Sequence, residues 1–154
     1  MSLLFPELNR ARTLQNVSDF FEYDLDRLVL MSGKNLTDLK SPQISKAPIH
    51  STGSNSREDT MIRGLDAGAM VDAVKDTILH CSYDSRVILI ELFINHKTWF
   101  EVENILFCNH KRLGFLRKKA MFEFADGFDY WQRRHNCEPI IDLHAYKRNF
   151  GDTK

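Results

Sequence analysis

The chain has 154 residues, 43% of them hydrophobic and 11% aromatic, which is enough apolar material for one packed core and too much for general disorder. Its formal net charge is zero, so overall charge singles out no partner. The distribution is more informative: residues 1–95 carry 10 Lys/Arg against 13 Asp/Glu, whereas residues 96–154 carry 11 against 8, a basic shift toward the C-terminal half of the kind nucleic-acid readers show.

The longest apolar run, Val87 to Ile94, is interrupted by Glu91 and is far too short to cross a bilayer. Cys81, Cys108 and Cys137 stand singly, so reduced thiols in a cytoplasm and no membrane partner are the expectation. Met1 to Glu7 is apolar and ends near Pro6. It lacks the charged region and length of a signal peptide, and is read as a packing arm.

From Arg12, the apolar positions Leu14, Val17, Phe20/Phe21, Leu25 and Leu28 recur every three to four residues, one face of an amphipathic helix ending near Gly33. Its other face carries Asp19, Glu22, Asp24 and Asp26, a solvated acidic surface or a contact for a dimer or a polymerase. Lys34 to Arg57 is rich in Ser, Pro, Asn and Lys. This stretch reads as a linker longer than ordinary loops, and a boundary between subdomains. Ser56 and Asp59 then have capping-box spacing. Met61/Ile62, Leu65, Ala69, Ala73/Val74 and Ile78 predict a middle helix to about His80, within which Gly64 and Gly68 mark weak points or a close helix crossing.

Asp84 or Ser85 is expected to cap the next segment, VILIELFI. A buried strand fits that composition, but the caps, Glu91 and flanking helical patterns favour a central helix. Thr98 and Glu101 form a T-x-x-E capping box for a short helix through Phe107, with Val102, Ile105 and Leu106 inward. Cys108 and Asn109 make a turn, and Asn109 is a natural N-cap. A long helix follows from His110 to about Arg134, with Leu113, Leu116, Ala120, Phe124 and then Phe128 and Trp131 at core spacing. The tail after Pro139 has no assignable pattern. The reading is an all-α protein: an N-terminal helical arm (1–33), a linker (34–57), a helical domain with a C-terminal helix-turn-helix (58–135) and a tail (136–154).

Between Cys108 and Lys119 there are five cations, Lys111, Arg112, Arg117, Lys118 and Lys119, and no acid. A helix that opens at a tight turn with such charge is suited to enter a groove of double-stranded DNA, each neutralised phosphate releasing counterions. The N-terminal part of a recognition helix faces base edges, which selects His110, Lys111, Gly114, Phe115 and Lys118 as readers. Arg112, Arg117 and Lys119 lie to the sides and, with Thr98, are phosphate candidates. Gly114 costs about 1 kcal/mol against Ala inside a helix; close approach to DNA accounts for it. The plainer reading of the cations is a solvated helix face.

The stretch EVENILFCNHKRLGFLRKKAMFEF resembles the helix-turn-helix of sigma-factor region 4. Glu101, Val102, Ile105, Leu106, Asn109, Leu113 and Ala120 fall where that family carries its Glu, Ile, apolar pair, Ser cap, inward Val and late Ala. Phe107 departs from the family's turn Gly, and Glu103 from a small residue that packs on the recognition helix. More broadly, the Ser41-Pro42-x-Ile44 linker, the Asn55-x-x-Glu58-Asp59 helix start and the Ala120, Phe124, Ala125 pattern are similar to the ArpU and RinA-type phage transcriptional regulators. That resemblance implies an activator of phage or phage-island late genes, acting at a promoter with host RNA polymerase. The Arg12–Ser32 helix is then a candidate homodimer contact, or folds back on the central helix, or binds polymerase. A small terminase subunit that recognises DNA for packaging, or a protein that sequesters polymerase or sigma, would use similar parts.

Nothing in the chain reads as catalytic. Walker A, G-x-S-x-G and H-E-x-x-H patterns are missing. His80/Cys81 and His135/Cys137 offer too few ligands at metal spacing. Glu58, Asp59, Asp66, Asp72 and Asp76 read as a solvated helix face. No cofactor or metal is expected.

Overall fold

The computed structural model describes residues 2–34, 39 and 66–148. Most of the expected linker, the Ser56–Asp59 cap, the Met61, Ile62 and Leu65 positions with Gly64, the acids Glu58 and Asp59, and residues 149–154 lie outside the described residues. Those described form helices joined by short turns, and the all-α expectation holds.

Helix α1 (Arg10–Asp19) begins two residues before the apolar pattern does, because Asn9 caps it, accepting from the Arg12 N–H at 3.0 Å. It passes through a wide π-helical turn (Phe20–Asp24) into α2 (Leu25–Ser32). Gly33 closes α2 at φ 69°, the left-handed conformation that glycine adopts without a Cβ penalty.

Helix α3 (Ala67–Leu79) starts later than the apolar stripe suggests. Asp66 is extended, and its carboxylate accepts from the Ala69 N–H at 3.1 Å, so the chain cannot be helical through this point. Among the described residues, a Cβ on Gly68 would meet only the Asp66 carboxylate, at 3.5 Å. The close crossing is at Gly127, where a Cβ would lie 3.4 Å from Thr77 of α3.

The VILIELFI segment is helical, as α4 (Tyr83–Ile88) followed by a second π-helical turn (Leu89–Ile94). Its N-cap is Ser82, neither Asp84 nor Ser85. The capping acceptor comes from elsewhere, since Glu123 takes the Ser82 N–H at 3.0 Å. Helix α5 (Trp99–Leu106) and the long α6 (His110–Arg134) complete the chain of helices.

The core gathers on α6. Leu113, Leu116, Ala120, Met121, Phe124, Ala125, Phe128 and Gln132 are its buried positions, while Trp131 is only partly covered. The N-terminal helix lies on this same face: Phe20 stands 5.9 Å from Phe124 and 5.3 Å from Phe128, ring to ring, and Phe21 stands 4.8 Å from Phe124 and 5.2 Å from Phe93. Aromatic pairs at such separations add to their burial energy. The two wide turns therefore meet at Phe21 and Phe93.

The tail has a defined course through residue 148. Gln132, fully buried, donates to the Ile141 carbonyl at 2.7 Å and accepts from the Ile141 N–H at 2.8 Å. Buried Thr13 accepts from the Ala145 N–H at 3.0 Å, and Leu8 pairs with Tyr146 in a single antiparallel bridge. These two buried side chains thus meet backbone groups of the tail. His135 and Asp76 join at 2.5 Å, His80 stacks on Trp131 at 4.2 Å and Asp72 pairs with Lys34, so Asp66, Asp72 and Asp76 are capping and pairing groups rather than a bare solvated face.

Candidate nucleic-acid interface

Helices α5 and α6 are joined by three residues whose backbone each has a local cause. Thr98 is extended, and its Oγ1 accepts from the Glu101 N–H at 3.2 Å. At the other end, Phe107 sits at φ 52°, ψ 47°, a left-handed conformation that costs a non-glycine residue about 1–2 kcal/mol. It lets the Cys108 N–H reach back to the Glu103 carbonyl at 3.1 Å. The Phe107 side chain is 95% exposed. Asn109 returns to extended backbone and accepts from the Arg112 N–H at 2.8 Å, starting α6.

The seam between the two helices is built by Trp99. Its ring centroid lies 4.7 Å from that of His110, and a Cβ on Gly114 would be 3.9 Å from its indole. Glu103 completes the seam, its carboxylate 3.0 Å from His110 Nδ1. Only Val102 of α5 is fully buried. Trp99 was not among the residues singled out from sequence. A capped helix whose first residue is the largest apolar side chain was the available signal.

The five expected base readers therefore fall into two groups. Lys111, Phe115 and Lys118 are all exposed, and at spacings of four and three residues they share one outward face of α6. His110 and Gly114 border the α5 seam, although the imidazole remains largely exposed.

The phosphate candidates also separate. Arg112 is exposed and lies over the Phe115 ring at 5.2 Å, and Lys119 is exposed beside them. Arg117 points elsewhere: its guanidinium is half-buried, 5.3 Å over the ring of Phe93, and burial lowers its pKa. Thr98 is spent on its cap as an acceptor, though its hydroxyl keeps a proton to donate.

The first acid of α6, Glu123, is turned onto the start of α4. Burial would raise its pKa, but hydrogen bonds from Ser85 and Ser82 and the charge of Lys119 outweigh this and hold it below the ordinary glutamate value. Among the described residues, none of Lys111, Arg112, Lys118 or Lys119 has an ion-pair partner, whereas Lys97 is paired with Glu91 at 2.6 Å and Lys147 with Glu7 at 2.7 Å. Among the described residues, the outer face of α6 is thus a ridge of cations without ion-pair partners and with an aromatic ring among them.

Fold and ridge together describe a small helical protein with a basic, open helix face; no described helix is long and apolar enough to cross a membrane. The chain is similar to a protein of Enterococcus hirae named "Putative autolysin regulatory protein ArpU", with 26% identity over 129 residues that cover 82% of this chain and 93% of that one. No family model matches the chain, and no solved structure matches it.

Proposed function

We propose that this chain is a sequence-specific DNA-binding transcriptional regulator, an activator of phage or phage-island late genes that works with host RNA polymerase in the host cytoplasm. It acts by binding rather than by catalysis. The single observation carrying this reading is the ridge of Lys111, Phe115, Lys118 and Lys119, which opens from a capped turn and whose cations have no ion-pair partner among the described residues. The likeness to a relative named as a regulatory protein, over most of both chains, supports the regulatory part.

In this reading α6 enters the major groove by its N-terminal half and α5 lies across it. Lys111 and Lys118 reach base edges, and Phe115 packs on a thymine methyl. His110 and Gly114, at the seam, set how closely the α5 end approaches. Arg112, Lys119, Thr98 and Arg117 are assigned to phosphates, Arg117 needing to leave Phe93 to do so. A homodimer on paired half-sites would double these contacts.

Footprinting on DNA from the native host is the test. Protection upstream of a late promoter is the expected result. Protection confined to a packaging site would replace promoter recognition with packaging, and absence of protection at low salt would overturn DNA binding altogether.

A further inference from the structure

The basic ridge does not end with α6. Arg10, the first residue of α1, lies with its guanidinium carbon 4.4 Å from the centre of the Phe122 ring. Phe122 follows Lys118 by four residues and so continues the outward face of Lys111, Phe115 and Lys118. A guanidinium seated on an aromatic face keeps its edge N–H donors directed outward and gives up little freedom on binding. Among the described residues Arg10 has no ion-pair partner, and Asp126, one turn beyond Phe122, is held by His144 at 2.7 Å.

The position of Arg10 also breaks a local rule. The first turn of α1 contains Arg10 and Arg12 and no acid, although the positive end of a helix dipole favours carboxylates there. Such violations are expected where function, not stability, selects the residue.

The geometry points to Arg10 as a DNA-phosphate contact contributed by the N-terminal helix, held in place by Phe122. This rests on the proposed reading of α6. Phe122 is eleven residues beyond Lys111, about 16 Å along the helix axis, whereas the major groove is about 12 Å wide. A side chain on Phe122 therefore stands past the groove, at the flanking backbone, where a charge meets phosphate and no base. Helix α1 then belongs to the interface, and its packing through Phe20 and Phe21 fixes where Arg10 sits.

Backbone contacts operate on any sequence, so the test uses a short mixed-sequence duplex and fluorescence anisotropy at several salt concentrations. Arg10→Ala is expected to weaken binding roughly three- to tenfold at low salt and make the salt dependence shallower by about one phosphate. Its thermal midpoint should stay unchanged or rise. Phe122→Leu and Arg10→Lys, each keeping the charge and losing the stacking, should fall between wild type and Arg10→Ala. If Arg10→Ala binds like wild type while Lys118→Ala is weakened, the inference fails and the DNA-binding reading stands. A drop in thermal midpoint in Arg10→Ala with no loss of binding would assign the residue to the fold and overturn the inference too. If wild type does not bind the duplex at low salt, the DNA-binding reading itself fails.

Discussion

Glu123 accepts the Ser82 backbone N–H at 3.0 Å and the Ser82 hydroxyl at 2.9 Å, across 41 residues of sequence. One carboxylate on α6 thereby caps α4, with the Ser85 hydroxyl as a further donor. The cap ties the long helix to the segment that carries Phe93. Glu123→Ala should lower stability at neutral pH by about 1 kcal/mol, the usual worth of an N-cap. Because its folded pKa lies below the unfolded value, the charge-dependent part is fully present above about pH 4.3. It is lost as pH falls through the folded pKa. Urea unfolding at neutral and acidic pH should show the wild-type and Glu123→Ala curves converging in acid. A constant gap at both would refute the charged cap.

Phe107 holds a left-handed backbone with a side chain that covers almost nothing. Phe107→Gly removes the Cβ penalty and gives up little packing, so it should stabilise the protein by about 0.5–1 kcal/mol after the entropy cost of glycine. Thermal unfolding measures this. A loss of stability would mean that the ring packs on something essential.

Gly114 has room for a methyl group, because a Cβ would make ordinary contact with the Trp99 indole at 3.9 Å. Gly114→Ala should raise helix stability by about 1 kcal/mol while weakening DNA binding, if the glycine serves close approach. Calorimetry and a binding titration on the same variant separate the two effects. Unchanged affinity would remove Gly114 from the interface, and a fall in stability would show the α5–α6 seam to be tighter than its geometry suggests.

Lys118→Ala and Lys111→Ala should each weaken operator binding by about 1–3 kcal/mol if the lysine reads a base, and should change the preferred sequence at one position. Arg117→Ala, which loses its contact with Phe93 and a phosphate contact, should reduce stability and also weaken binding on any sequence. Equal binding by both lysine variants at two salt concentrations would place the DNA-binding face elsewhere.

The interactions that span three or four residues were legible in the chain itself. Thr98 and Asn109 cap the helices they were expected to cap, and Gly33 ends α2, because a cap needs only a side chain and an amide within the same turn. The 3.6-residue spacing of Leu113, Leu116, Ala120 and Phe124 likewise marks the buried side of α6 without reference to any other element. Conversely, the cap at Ser82 was misplaced, since its acceptor comes from Glu123, and the tail had no pattern because Gln132 and Thr13 hold it through its backbone.

Charge on the 108–119 segment was visible from sequence; which cations remain available was not. That depended on Trp99 occupying the seam beside His110 and Gly114, on Phe93 taking Arg117, and on Phe122 receiving Arg10 from α1. The chain by itself determined the helices, their caps and the basic segment, all set by short-range spacing. Tertiary packing decided which side of that segment stays open, because the rings that cover its other sides, Trp99 and Phe93, come from other helical segments.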